Sequence, residues 1–287
     1  MNERPDQTPI TSPRSERVRR IAALAGRSAR RRTGWIRVEG PQAVRALLET
    51  RPELALEIHL TDRADADHPE LAAAARAAGI PVRPTDDTII RAMVRENADA
   101  PSAALVSPQG VIALARHPEP QPLDAVLTAI PDAPPVTLLV LHEVRDPGNV
   151  GTLIRTADAA GADAVLLTPT CADPFAPKTV RASVGSVFHL PLVLGAAIDE
   201  ILPALHERGI TTAATSGYAA ADLFATALPD RLAWILGNEA RGLDQRTLAS
   251  TDLAIRIPLA GRAESLNVHT AATVCLFETL RQRRAGA

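Results

Sequence analysis

Aromatic side chains are nearly absent from this sequence: four Phe, two Trp and one Tyr amount to 2% of 287 residues. A core must therefore be packed from Ala, Val, Leu and Ile. The same scarcity argues against an aromatic platform that stacks nucleic-acid bases. Cysteine is scarce too. Cys171 and Cys275 cannot build a disulfide framework, and neither sits among other metal-ligating residues, so no metal is expected and a reducing, cytoplasmic setting fits. Lysine is reduced to Lys178, the remaining basic residues being Arg. Net charge is only −2, which rules out a globally basic chain. No apolar run reaches the length of a membrane span and no signal peptide is visible, so no membrane partner is expected. A G-x-G-x-x-G fingerprint is also missing, since Gly151 and Gly161 do not fit its spacing; a nicotinamide dehydrogenase is poorly supported.

What is present suffices for a core, with 46% apolar residues in a length that allows two modest domains or one large one. Charge is unevenly placed. Arg14, Arg17, Arg19, Arg20, Arg27, Arg30, Arg31, Arg32 and Arg37 face a single acid, Glu16. Such a run either tracks phosphates or is a solvated, flexible arm over residues 1–33. Strand and helix patterns then alternate over 34–116, predicting a small α/β domain: "RVEGPQAVRALLET" as strand, Gly-Pro turn and helix, "HPELAAAARAAGI" as a helix stopped by Gly79, and "GVIALAR" as a strand. Residues 117–135 carry six prolines and read as a linker with a short helix at "LDAVLTAI". A second α/β unit follows over 136–287. "VTLLVL" suits a strand covered on both faces, "DAVLLT", "GITTAAT", "RLAWILG" and "DLAIRIP" read as further strands, and a last helix runs over 267–284.

Three segments place polar groups at strand ends, where open α/β sheets bind ligands. In "RDPGNVGTLIRTADAAGA", Asn149 and Arg155 lie nearly two helical turns apart, and Arg155 interrupts a helix of apolar and small residues. A guanidinium fork there matches phosphate or carboxylate, or it is a structural salt bridge. In "ILGNEARGL" an apolar strand runs into Gly237, Asn238 and Glu239, with Gly242 following. In "IPLAGRAESLNVHTAATVCLFETL", Ser265 and Asn267 enter the last helix, and either is a good N-cap.

Taken together and in this order, "NVGTLIRTA", "ILGNEARGL" and "IPLAGRAESLNVHTAA" resemble the three signature motifs of the SpoU/TrmH family of RNA ribose 2′-O-methyltransferases, in the SPOUT superfamily. "PKTVRASVGSVFHLPL" resembles the family's middle region, and the first domain resembles the small RNA substrate-binding domain of many members. The resemblance implies an α/β fold: a parallel-sheet catalytic domain with a trefoil knot, plus the smaller N-terminal α/β domain. It implies S-adenosylmethionine as methyl donor, RNA as partner and a homodimer. Carried over by position, Thr215, Ser216, Gly217, Leu236, Gly237, Asn238, Glu239, Gly242, Ile257, Pro258, Leu259 and Leu266 line the cofactor pocket. Asn149, Arg155, Glu239, Ser265 and Asn267 form the polar active-site set. Two departures are visible: His142 stands where Asp is common, and His269 where Ser or Ala is usual. His269 is read as a surface, interface or packed histidine rather than a catalytic one.

The implied reaction displaces a methyl group from a sulfonium by a ribose 2′-hydroxyl, most readily on unpaired nucleotides. A guanidinium, charged and rich in N–H donors, makes Arg155 a cationic clamp rather than a base. By analogy with the family alone, the extra N-terminal domain implies ribosomal RNA, 23S rRNA first, rather than tRNA as substrate. Alternatives are a tRNA ribose methyltransferase, an antibiotic-resistance rRNA methyltransferase, and a non-catalytic RNA-binding or ribosome-assembly factor.

Overall fold

The computed structural model describes residues 10, 12–95, 109–133 and 135–285. The chain divides into two compact units, one of Met1–Glu119 with Asp173–His189, the other of Pro120–Ala172 with Leu190–Ala287.

The first unit is built on a four-stranded sheet of β1 (Trp35–Glu39), β2 (Ala55–Leu60), β3 (Val82–Pro84) and β4 (Val111–Arg116), in the order β1-β4-β2-β3. β4 pairs antiparallel with both β1 and β2, and β2 runs parallel to β3. Ile112 and Leu114 of β4 turn one face toward α1 (Glu16–Ala23) and α6 (Asp87–Met93), where they meet Val18, Ile21, Ile89, Ile90 and Met93. Side chains alternate along a strand, so Ala113 faces the other side. There α3 (Pro41–Thr50) and α5 (Pro69–Ala77) pack. The Gly-Pro turn acts as expected: Gly40 takes φ +91 and Pro41 opens α3.

The Arg-rich stretch is not an arm over its described part. Residues 16–33 form α1 and α2 (Arg27–Thr33), because Val18, Ile21 and Leu24 recur at helical spacing and are all buried. Three of the arginines are structural. Arg37 is fully buried, pairs with Glu39 at 2.6 Å and donates to the carbonyls of Ile21 and Met93 at the ends of α1 and α6. Arg30, 3% exposed, donates to the Leu24 and Ala25 carbonyls and to Asp173 at 2.7 Å. Arg17 pairs with the buried Glu57. Arg14, Arg19, Arg20, Arg27, Arg31 and Arg32 stay exposed, and the Arg20 guanidinium lies 5.5 Å over the Trp35 ring. Residues 1–9 and 11 of the expected arm lie outside the described residues.

The segment 173–189, which the sequence reading runs into the second domain, packs with the first unit. Its helix α9 (Pro177–Ser183) lies against β1, where Arg181 pairs with Glu39. Gly185, at φ +98, sits so close to α3 that a Cβ there would come within 2.5 Å of the Ala46 Cβ. The division between the units, after Glu119, falls inside the Pro-rich stretch, whose helix α7 (Leu123–Ala129) buries Val126 and Leu127 in the second unit.

That second unit holds a seven-stranded sheet of β5 (Val136–Leu141), β6 (Ala164–Leu167), β7 (Leu192–Leu194), β8 (Thr211–Thr215), β9 (Ala221–Asp222), β10 (Arg231–Leu236) and β11 (Leu253–Arg256). The order is β7-β6-β5-β10-β8-β11-β9, and every pairing is parallel. All six residues of β5 are buried, Thr137 among five apolar neighbours, as expected of a strand covered on both faces. One face meets α7 and α10 (Ile198–Glu207). The other is covered by α8 (Pro147–Ala159) and α12 (Val268–Ala285), which pack on each other, and the buried Trp234 donates from Nε1 to Thr279 Oγ1 at 3.0 Å. A short helix α11 (Gln245–Ala249) precedes β11.

Glu57 offers a test of the first unit's core. Its carboxylate is fully buried and meets Arg17, Arg83 at 3.2 Å and His59 at 3.1 Å. Burial opposes ionisation, but the contacts with His59 and Arg17 outweigh it and bring its pKa from 4.5 to about 2. The group then adds stability that is fully present above its unfolded pKa and is lost as pH falls through the folded one. Glu57→Gln is expected to cost roughly 3 kcal/mol at pH 7 by chemical denaturation. The gap from wild type should close as pH falls from about 4.5 toward 2.

Candidate active site

Strands β5, β10, β8 and β11 are neighbours and parallel, so their C-terminal ends open along one edge. The three motifs occupy that edge. His142 follows β5, Gly237 follows β10, Ser216 and Gly217 follow β8, and Ile257 follows β11. Hydrogen bonds carry the sheet's order into the loops. The His142 amide donates to the Leu236 carbonyl at 2.8 Å, and the Ser216 amide to the Ile255 carbonyl at 3.0 Å.

The loop after β10 closes on itself. Asn238 and Gly242 exchange amide-to-carbonyl bonds of 3.1 and 2.8 Å, and Gly242 takes φ +66. Gly237 has no room for a side chain, since a Cβ would lie 2.3 Å from the Gly242 carbonyl carbon and 2.6 Å from the Leu243 nitrogen. Asn238 then donates from Nδ2 to the Glu143 carbonyl at 3.0 Å, tying this loop to the one after β5. Glu143 accepts from the Arg241 guanidinium at 2.8 Å.

Glu239 completes the clasp. Its carboxylate accepts from the amides of Arg145 (3.3 Å) and Asp146 (3.0 Å) and from Asn149 Nδ2 (3.2 Å). Partial burial works against its ionisation, but the donors of Asp146 and Asn149 prevail and hold the carboxyl below its ordinary range. Asn149 is fixed from both ends of its side chain, because its Oδ1 accepts from Asn267 Nδ2 at 3.4 Å. Asn267 is the cap of α12: its Oδ1 accepts from the His269 amide at 2.8 Å, and its carbonyl accepts the Ala271 amide. The capping reading of Asn267 is realised, and the same side chain reaches Asn149.

Arg155 lies exposed on α8 and makes no ion pair among the described residues, so the salt-bridge alternative is not realised. It is close enough to His269 for its charge, after the larger effect of burial, to lower that imidazole's pKa. Ser265 is exposed in the loop before α12 and makes no hydrogen bond among the described residues; the structure does not draw it into the set as it does Asn149, Glu239 and Asn267. Sequence reasoning missed the role of Asp146, whose Oδ1 caps α8 by accepting the Asn149 amide at 2.9 Å. The Asp-Pro pair was the available signal, an N-cap followed by proline at the first helical position. It also missed Thr156, whose Oγ1 lies 3.0 Å from His269 Nε2. His142 rests near Asp244, at 3.9 Å, and its buried Nδ1 has no partner among the described residues.

The residues expected to line a cofactor pocket extend from three adjacent strand ends, β10, β8 and β11. Leu259 is 39% exposed, Leu266 is half-buried, and the space beside Gly217 is open. Aliphatic surface beside backbone donors and acceptors fits a nucleoside-bearing ligand. No group of three or more His, Cys, Asp or Glu able to hold a metal occurs among the described residues.

The SpoU rRNA Methylase family matches residues 137–277. The 23S rRNA (guanosine(2553)-2′-O)-methyltransferase RlmP of Bacillus subtilis is 33% identical over 93% of this chain and 97% of its own length. The 23S rRNA (guanosine-2′-O-)-methyltransferase RlmB of Pseudomonas putida is 32% identical over 86% of this chain and 97% of its own. The crystal structure of an AdoMet-bound rRNA methyltransferase from Sinorhizobium meliloti superposes with a TM-score of 0.76 at 30% identity, covering 96% of this chain and 97% of that one.

The closed loop after β10 generates a prediction. Gly237→Ala should force the Asn238–Gly242 turn apart, cost about 2 kcal/mol and lower Tm by roughly 4–8 °C in a thermal melt. The expected effect is larger than that of Gly217→Ala, because a Cβ there meets nothing within 4 Å.

Proposed function

This chain belongs to the SpoU rRNA methylase family, and on that premise we propose that it transfers a methyl group from S-adenosylmethionine to a ribose 2′-hydroxyl of 23S ribosomal RNA. A guanosine is the target that its relatives' names support. The observation that carries the reading is Arg155: an exposed guanidinium without an ion pair among the described residues, on the helix whose Asn149 is joined to Glu239 and Asn267. An unpaired cation beside a closed network of amides is arranged for an anionic ligand.

The backbone of 215–217, 236–239 and 257–259, with Gly242 and Leu266, holds the methyl donor. When bound, S-adenosylmethionine supplies an electrophilic methyl carbon on a sulfonium. Arg155 stays charged, clamps an RNA phosphate and polarises the 2′-hydroxyl. Asn149 is held in one orientation by Glu239 and Asn267, so it presents a fixed hydrogen-bonding face to the ribose. Ser265, exposed at the loop, contacts the target nucleotide.

The first unit supplies RNA affinity. Arg19, Arg20, Arg27, Arg31 and Arg32 on α1, α2 and their connection form an exposed basic surface suited to a phosphate backbone. The active form is a homodimer, supported by Phe277 at 43% exposure on α12. A cytoplasmic site of action follows from an rRNA substrate, and no described helix is long and apolar enough to cross a membrane. The C-terminal segment is threaded as a trefoil knot, as in the family. The names of the relatives favour 23S rRNA over tRNA.

Two measurements test this. Incubating the protein with unmodified 23S rRNA and labelled S-adenosylmethionine should place label on a ribose; unlabelled RNA at saturating donor refutes the reading. Arg155→Ala should lower transfer by about 10³-fold or more while leaving donor affinity within a few-fold by calorimetry. Separately, Arg27→Glu with Arg31→Glu should weaken RNA binding uniformly across sequences and flatten its salt dependence by about one unit of slope per lost phosphate contact.

A further inference from the structure

A methyl transfer from a sulfonium to a hydroxyl releases a proton, and none of the five polar residues is suited to take it. A guanidinium offers donors only and has no lone pair free to accept a proton, which excludes Arg155. Glu239 has its oxygens occupied by three N–H donors and its carboxyl held below the ordinary range, so it is a weak base. Asn149, Asn267 and Ser265 do not titrate near neutrality. One imidazole borders the same set. His269 occupies the first turn of α12, with its amide held by Asn267. Its Nε2 lies 3.0 Å from the Oγ1 of Thr156, the residue next to Arg155 on α8, and 3.5 Å from Thr273 Oγ1.

We propose that His269 is the proton acceptor for the ribose 2′-hydroxyl, acting through Nδ1 while Thr156 and Thr273 hold Nε2 and Arg155 binds the phosphate beside it. The proposal rests on the methyltransferase reading above. Its hydrogen bonding fits this tautomer. Thr273 commits its hydroxyl proton to the His269 carbonyl at 2.9 Å, so toward Nε2 it can only accept. With Nε2 carrying the hydrogen, Nδ1 keeps its lone pair. The electrostatics agree. Burial first, then the charge of Arg155, lowers the imidazole pKa, which favours the neutral form that can accept a proton. Among elements packed on α12, α8 brings Arg155 as the charged group at His269. β10 meets the helix through Trp234 near its other end, Arg231 being engaged with the Pro131 and Asp132 carbonyls, and the turn Leu223–Ala225 is uncharged.

The balance is simple. The 2′-oxygen forms a bond to the methyl carbon, the carbon–sulfur pair returns to sulfur as a neutral thioether, and the hydroxyl proton passes to Nδ1 and then to solvent.

The test compares wild type with His269→Gln, which keeps a hydrogen-bonding group toward Thr156 and cannot titrate. Single-turnover methylation of unmodified 23S rRNA at saturating S-adenosylmethionine is followed from pH 5 to 9, and the imidazole is titrated by NMR in the protein alone. Wild type should show an acid limb whose midpoint matches the NMR pKa of His269, below the usual imidazole value. His269→Gln should be slower by about 10²-fold or more and should lose that limb, with donor and RNA affinities within threefold of wild type. An unchanged limb in the variant, a rate within threefold of wild type, a loss confined to RNA affinity, or an imidazole protonated at pH 7 each overturns the proposal while leaving the methyltransferase reading intact. A wild type that transfers no methyl group at any pH overturns both.

Discussion

The carboxylate of Glu239 holds the site in register. It sits on the loop after β10 and accepts from two amides and one side-chain amide on the segment that leads from β5 into α8. Each donor it engages would otherwise be an orphan group of a loop or a helix start. The orientation of Asn149 depends on that clasp, and through Asn267 so does the start of α12. The clasp depends in turn on a steric fact. Only a residue without Cβ lets the chain fold back between Gly237 and Gly242 and bring Glu239 over the neighbouring loop.

This arrangement explains why the polar residues lie on two helices of the same sheet face. α8 and α12 pack on each other over β5 and β10, and their first turns carry Asn149 and Asn267 toward one another. Arg155 and Thr156 follow farther along α8, where Thr156 meets His269. Beneath them lies a buried floor of Leu139, Leu141, Trp234 and Leu236, the side chains of β5 and β10 that alternate onto this face.

In the first unit the arginines divide into two kinds that sequence position alone does not separate. Arg17, Arg30 and Arg37 neutralise buried carboxylates or cap helix ends, while Arg19, Arg20, Arg27, Arg31 and Arg32 face solvent. The first kind stabilises the unit that carries the second. A basic stretch that reads as a flexible tail is here the capped pair of helices that presents a charged surface.

Local patterns determined much of this protein. The largely apolar run of β5, the Gly40–Pro41 turn, the stop at Gly79 and the helix of α12 follow from periodicity and backbone stereochemistry, which act over a few residues. Three motif segments, in order, pointed to one family. The short strands β3, β7 and β9 were not legible, because two or three residues carry no period and exist only where a neighbour offers them hydrogen bonds. The docking of 173–189 on the first unit was equally hidden, since it rests on Asp173 and Arg181 finding Arg30 and Glu39, each more than 140 residues away in sequence. His269 shows the division most clearly. From sequence position alone it reads as a surface, interface or packed histidine. Only the packing of α12 on α8 could set that imidazole beside Thr156 and Arg155, because contact between distant segments is decided by the fold as a whole.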